Sequence, residues 1–258
     1  MKSKIILTPY FLDAHLPGLE VLKKWDWIIN REPLPEDIVM TRMSILHAAL
    51  AEAVAKISLA GDMPVSIAGD CCTTIAMLAG LRRSGINPLL IWFDAHGDFN
   101  TWDTSPSGFL GGMPLAMLVG RGEQILLEAL DVGPLAEERI ILTDGRDLDP
   151  GERELVEKSL LTHLEDTREL MDITMPDQPL WIHFDTDILD PVEVPAQNYP
   201  APGGIQQEEL GKIFQYLVDT ENIAAISLSS WAPVLPGAEK SKEVCLGLLE
   251  ILCNVKIL

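Results

Sequence analysis

Asp94, His96 and Asp98 stand at alternate positions directly after the apolar run Ile91-Trp92-Phe93. In an extended backbone alternate side chains share a face, so two carboxylates and an imidazole can converge on a divalent cation. The chain repeats the arrangement at His183, Asp185 and Asp187, again at the end of an apolar run. A single aspartate at a strand end commonly caps a helix or closes an Asx-turn. Two clusters at one end of a sheet are harder to explain that way, because their acids would repel or stay protonated unless a cation neutralised them. The residue types therefore indicate a metal site.

Apolar runs rich in Ile, Val and Leu recur at 4–8, 64–68, 88–93, 139–143, 179–184 and 223–229, and most precede a longer helical pattern. Continuous rather than alternating runs mark strands covered on both faces. The chain is thus expected to form an α/β fold: a three-layer α/β/α arrangement with a mainly parallel central sheet, as a single domain over 1–258. Helical spacing of apolar residues predicts helices over 38–59, 72–81, 206–218 and 242–252. Ligands of open α/β sheets bind beyond the carboxyl ends of the strands. Asp70 and Cys71, Asp94 to Asp98, Arg146 to Asp149, and Asp185 to Asp190 all follow such runs, so four strand ends address one site.

A formal charge of −20 over 258 residues argues against nucleic-acid backbones as partners and favours cation recruitment. No basic-then-apolar leader precedes Ile5-Ile6-Leu7, and no apolar stretch approaches the roughly 20 residues that span a bilayer. The expectation is a soluble, cytoplasmic protein without a membrane partner. Of the four cysteines, Cys71 and Cys72 are adjacent and poorly placed for a mutual disulfide. Cys245 and Cys253 lie in an apolar helical pattern and read as core, and Cys72 reads as packing. His15, His47 and His163 have no metal-like spacing.

Three ordered motifs resemble those of the ureohydrolases, the family of arginase, agmatinase and formiminoglutamase: Gly69-Asp70-Cys71, Asp94-Ala95-His96-Gly97-Asp98 and Asp185-Thr186-Asp187-Ile188-Leu189-Asp190-Pro191. Similarity continues in Asn100-Thr101, Ser107-Gly108, Gly112-Met113-Pro114, the segment from Arg146 to Glu152, and Pro202-Gly203-Gly204. The resemblance implies two manganese ions bridged by Asp94 and Asp185, one completed by Asp98 and Cys71 and the other by His96 and Asp187. It further implies that water activated between the ions attacks the carbon of an amidine or guanidine, and that Asp98 passes a proton to the leaving amine. Asn100, Ser107 and Asp149 match positions that hold the carboxylate and amino group of an amino-acid substrate; loop hydrogen bonding and helix capping are their structural alternatives. Trimers or hexamers of identical subunits are implied as well.

The match breaks at four positions. Cys71 replaces a metal-binding His, which would tilt that position toward Zn²⁺ or Fe²⁺ if the thiolate ligates. Ser230 stands where a Glu pairs with a guanidinium, and Gly111 stands where the family has a proton-shuttling His; Phe109 replaces a polar pocket residue. His183 could compensate, either by a hydrogen bond to Asp185 or by direct ligation or proton transfer. Trp231 could wall the pocket or fill the core. The expected function is hydrolysis of a linear amidine borne by an amino-acid derivative less basic than arginine, such as an N-hydroxyguanidine or formimino compound. The alternatives are a catalytically silent sensor or subunit partner, and a metal-dependent amide deacetylase.

Overall fold

The structure, a computed structural model, describes residues 1–254. It begins with β1 (Ser3–Thr8), a hairpin of β2 (Tyr10–Phe11) and β3 (Ala14–His15), β4 (Ile28–Ile29), α1 (Val39–Leu59), β5 (Met63–Ala68) and α2 (Thr74–Arg83). Next come β6 (Leu89–Asp94), α3 (Pro114–Leu118), α4 (Ile125–Ala129), β7 (Ile140–Asp144), α5 (Pro150–Lys158) and β8 (Thr162–Leu164). The chain continues through β9 (Leu180–Asp185), α6 (Gln207–Val218), β10 (Ile223–Ser229) and α7 (Ala238–Cys253). Eight strands form one sheet in the order β4-β1-β5-β10-β9-β6-β7-β8. Every pairing in it is parallel, as continuous apolar runs require.

Alternate residues of each strand feed two cores. Ile91 and Phe93 of β6, with Ile182 and Phe184 of β9, pack toward Leu210 and Phe214 of α6 and Leu249 of α7. Leu90 and Trp92, with Trp181, face the opposite way toward Leu50 and Val54 of α1 and Ile75 and Leu78 of α2. Phe214 meets Phe93 and Phe184 edge-on at 5.2 and 5.4 Å between ring centres. Each such buried aromatic contributes about 1.5–3 kcal/mol of apolar burial, enough to fix which strand face looks inward. The register that results also decides which face carries the polar residues at the strand ends.

Helices α1 and α2 stop by the same device. Gly61 (φ 77°) follows α1 and Gly85 (φ 81°) follows α2. The amides beyond them return to the last turn, Asp62 N to the Ile57 carbonyl at 3.1 Å and Ile86 N to the Leu81 carbonyl at 2.9 Å. The expected start of the second helix at residue 72 is two residues early, because Cys71–Thr73 form a tighter 3-10 turn capped by Asp70. The last helix starts at Ala238, earlier than its apolar pattern, since residues 238–241 carry little apolar periodicity. Helices α3, α4 and α5 and the short strands β4 and β8 were not legible in that pattern.

Candidate metal centre and active site

Strands β5, β10, β9 and β6 are neighbours at the middle of the sheet, and their carboxyl ends supply the site. Cys71 follows β5, Ser229 ends β10 with Ser230 after it, Asp185 ends β9 with Asp187 two residues on, and Asp94 ends β6 with His96 and Asp98 in the following turn. All of these but Ser229 line a cavity of about 180 Å³. All six sequence-predicted metal residues line it, as do Asn100, Ser107, Asp149 and Ser230. His183 lies below its floor, fully buried. Trp231 belongs to the core, its indole donating to the Ala238 carbonyl at 3.1 Å.

Asp185 is a hub. One carboxylate oxygen receives Cys71 Sγ at 2.9 Å, Ser229 Oγ at 3.3 Å and the Ser230 hydroxyl, while the other accepts the Asp187 amide at 2.9 Å. Asp94 accepts its His96 amide at 2.8 Å and the Trp92 indole at 3.0 Å. His96 Nδ1 lies 3.1 Å from Asp187 and 3.4 Å from Asp94. Asp98 adopts φ 49°, a left-handed conformation that non-glycine residues hold only when the surroundings impose it. Its carbonyl receives the Leu115 and Ala116 amides at the start of α3, at 2.9 and 3.1 Å. Its Oδ2 is buried with no partner.

His183 departs from its expected hydrogen bond to Asp185. The parallel register sets Ser227 opposite it, and Nδ1 shares a hydrogen bond with the Ser227 hydroxyl at 2.9 Å. Nε2 has no partner. The Trp92 ring lies 3.9 Å away, centre to centre.

The residues fit divalent cations. Cys71, Asp94, His183 and Asp185 present ligand atoms within 4.8 Å of one another, and so do Asp94, His96 and Asp187. Asp94 is common to both groups. Among the described residues, no lysine or arginine lines the cavity to balance its carboxylates. Burial, reinforced by Asp187, pushes Asp185 up to about 7, and burial with the Asp94 charge pushes Asp187 up to about 6. Burial and the Asp94 charge raise Asp98 well above the usual carboxylate range. Burial, then Asp185, Asp98 and Asp94, likewise raise the Cys71 thiol. For His96 burial acts downward, but Asp187 and Asp94 override it and carry the imidazolium to about 12. Without a cation, then, protons occupy the charge-balancing role.

This makes a pH prediction. Between pH 6.5 and 8 the unfolded chain loses the rest of its His96 proton and carries no acidic protons, while the folded metal-free chain keeps the His96 proton and part of the acidic ones, so its stability falls as pH rises. His47 and His183, lowered by burial to about 4 and about 3, are neutral in the folded chain but half protonated near pH 6.5 once unfolded, so they offset part of the trend at the acid end of the window and none of it by pH 8. One retained proton is worth about 1.4 kcal/mol per pH unit. The chelator-treated protein should therefore melt roughly 4–8 °C lower at pH 8 than at pH 6.5. Added Mn²⁺ should raise the melting temperature more at pH 8 than at pH 6.5. Thermal melts in both buffers check this; a metal-free protein that gains stability over the window contradicts it.

Around the acids lies a wall that sequence reasoning saw only in part. Asn100 donates to Asp149 at 3.0 Å and accepts from Thr104 at 3.0 Å. Asp149 also caps α5 through a capping box with Glu152, so its capping and pocket readings are both realised. Ser107 sits exposed at the rim, its hydroxyl accepting the Phe109 amide at 3.2 Å. Glu152, not singled out as a site residue, accepts the Phe99 amide at 2.7 Å beneath the Asp94–Asp98 turn. A Cβ on Gly97 would come within 2.7 Å of that carboxylate, so the turn depends on glycine there. Arg146 braces the acidic loop after β9 by donating to the Asp187 and Ala201 carbonyls at 2.7 and 3.2 Å.

Aromatic rings form the rest of the wall. Phe109 stacks against Phe11 at 6.2 Å and meets Tyr199 at 5.2 Å, and all three line the cavity. A Cβ on Gly111 would lie 2.3 Å from the Phe109 ring. Any side chain at 111 would thus displace Phe109, which ties the two departures Gly111 and Phe109 to each other. No periodicity could have revealed this contact among residues 11, 109 and 199.

Fold and ligand geometry together define an α/β protein with a carboxylate-rich cation centre at the strand ends. The family model for the arginase family matches residues 21–252, and the chain belongs to that family. It is 31% identical to the arginase of Bacillus subtilis (strain 168) over 256 residues, covering 93% of this chain and 86% of that one. Against the N(omega)-hydroxy-L-arginine amidinohydrolase of Streptomyces lavendulae it is 30% identical over 208 residues, 79% of this chain and 70% of the other. The crystal structure of arginase from Bacillus cereus superposes with a TM-score of 0.85 over 99% of both chains at 23% identity, a likeness of fold. Among the described residues, no helix is long and apolar enough to cross a membrane.

Proposed function

We propose that the chain hydrolyses the C–N bond of a linear amidine carried by an amino-acid derivative less basic than arginine, an N-hydroxyguanidine or formimino compound. Membership of the arginase family makes it a hydrolase of C–N bonds in linear amidines; the identity of the head group is the further step. The observation that carries it is the neutral hydroxyl of Ser230, bound to Asp185 at the cavity wall in the position where the family resemblance calls for a guanidinium-pairing carboxylate. A relative that acts on a hydroxylated arginine supports the same direction.

Cys71, Asp94, His96, Asp98, Asp185 and Asp187 would hold two divalent ions, and the dominance of carboxylates suits Mn²⁺. Bound there, the ion pair supplies Lewis acidity and brings water toward a nucleophilic state at neutral pH. The chain's own groups do the rest. Asp98, with an unpaired buried oxygen facing the cavity, accepts the proton released by the attacking water and delivers it to the departing amine nitrogen. Ser230 offers the amidine a neutral hydrogen bond. Asn100, Ser107 and Asp149 orient the amino and carboxyl groups of the substrate at the rim, and the Phe11–Phe109–Tyr199 wall keeps water from the opposite side. The working protein is proposed to be a trimer or hexamer of identical chains.

A panel of arginine, N-hydroxyarginine, a formimino amino acid and an N-acetyl amino acid, assayed with metal-replete protein, tests the reading. The expected order places the weakly basic amidines at least tenfold above arginine in kcat/KM, with no turnover of the acetyl amide. Preference for arginine would overturn the substrate class. Turnover of the amide alone would replace it with deacetylation, and binding without any turnover would replace it with sensing.

A further inference from the structure

We propose that His183 is a metal ligand, joining Cys71, Asp94 and Asp185 in a position that takes Zn²⁺ or Fe²⁺ in preference to Mn²⁺. The inference rests on the reading that this site holds an ion pair, and it assigns the pair two chemically different halves. Its first support is geometric. The ligand atoms of the four residues lie within 4.8 Å of one another, and all four side chains are buried. Bond lengths of about 2.0–2.3 Å around a tetrahedral ion place ligand atoms roughly 3.3–3.8 Å apart, so a small contraction brings all four to one ion, which can expand to a fifth position for Asp98 or the reacting water.

The second support is independent of the cluster. His183 is 0% exposed, and its Nε2 has no hydrogen-bond partner. Leaving a buried polar atom unpaired costs about 1–3 kcal/mol, so an orphan in the middle of a sheet needs an explanation. The other nitrogen is held by Ser227 at 2.9 Å, and the same hydroxyl oxygen accepts the Trp181 indole at 3.0 Å. When Nδ1–H donates to Ser227, Nε2 carries the free lone pair. Ligating histidines are held by their second nitrogen in this way. Trp92 lies over the ring 3.9 Å away and donates its own N–H to Asp94, so ring and carboxylate are positioned by one neighbour.

The chemistry then separates the two positions. One group offers a thiol, an imidazole and two carboxylates; the other offers Asp94, His96 and Asp187, without sulfur. Thiolate and imidazole favour softer ions, whereas carboxylates suit Mn²⁺. His183 thereby restores near Cys71 an imidazole nitrogen that the cysteine itself cannot supply, reaching the ion from the strand beneath. On binding, the Cys71 proton leaves for solvent and the sulfur becomes the anionic ligand.

The experiment is X-ray absorption at the zinc edge on the full chain, stripped by chelator and given one equivalent of Zn²⁺. The native protein should show one sulfur at about 2.3 Å together with imidazole scattering. In His96→Gln the imidazole scattering should persist beside the sulfur, because His183 is the histidine that remains in the cluster. In His183→Gln, checked by circular dichroism for a native fold, it should vanish from the sulfur-bound ion, with zinc affinity lowered at least tenfold against a chelating dye. A sulfur shell without imidazole in His96→Gln would overturn the proposal, and that arm leaves the buried His183 untouched. Absence of the sulfur shell in native protein would also overturn it. If such a protein still bound two Mn²⁺ and turned over an amidine, the hydrolase reading would stand alone; if it bound no ion, both would fall.

Discussion

Asp94→Asn should abolish binding of both ions and lower kcat for the preferred amidine by about 10³-fold or more. Asp94 is the residue shared by the two ligand groups, and its side chain is essentially inaccessible to solvent. A bound ion contributes several kcal/mol of charge stabilisation to the transition state, and each 1.36 kcal/mol corresponds to a factor of ten, which sets the expected scale. The substitution is nearly isosteric, so the hydrogen bonds at this strand end are only partly lost. It also removes one of the charges that raise Asp187, Asp98 and the Cys71 thiol. The metal-free variant should therefore melt above the metal-free native protein at pH 8, while the order reverses in Mn²⁺. Elemental analysis, initial rates and paired melts give the result. Retention of two ions, or of full activity, would show that Asp94 is not the shared ligand.

Ser230→Glu should shift the preference toward arginine. Pairing a desolvated guanidinium with a carboxylate is worth about 2–5 kcal/mol by comparison with truncated ion pairs, equivalent to roughly 30- to 5,000-fold in kcat/KM. Two features of this chain place the outcome near the lower bound. Ser230 holds φ 70°, where a larger side chain is strained, and its hydroxyl is hydrogen-bonded to Asp185. A glutamate would lose that bond and bring another negative charge near the hub. The expected result is an approximately 30-fold rise in kcat/KM for arginine with a fall for the weakly basic amidine. Unchanged selectivity would mean that Ser230 does not face the amidine head.

The legible parts of this protein were those that local pattern controls. Continuous apolar runs marked the six longer strands, β1, β5, β6, β7, β9 and β10, because residues buried on both faces leave no polar alternation. Asp94, Asp185 and their neighbours could be placed together because the carboxyl ends of parallel strands lie at one edge. Other features depend on register or on distant contacts. That His183 finds Ser227 instead of Asp185 follows from the β9–β10 alignment, which residue spacing within one strand does not encode. The Phe11–Phe109–Tyr199 wall joins residues from three separate loops or strand ends, and Glu152 reaches the metal turn from a short helix whose mean polarity hid it. Helices α3 and α4, five residues each, are too short to display a helical period.

The most direct test of the two-ion hydrolase is metal stoichiometry, by elemental analysis of chain reconstituted with excess Mn²⁺ plus one equivalent of Zn²⁺, in native protein and in Asp187→Ala. The account predicts two ions per native chain, one in the variant, and amidine turnover only where two are bound. One ion per native chain with undiminished turnover would contradict it.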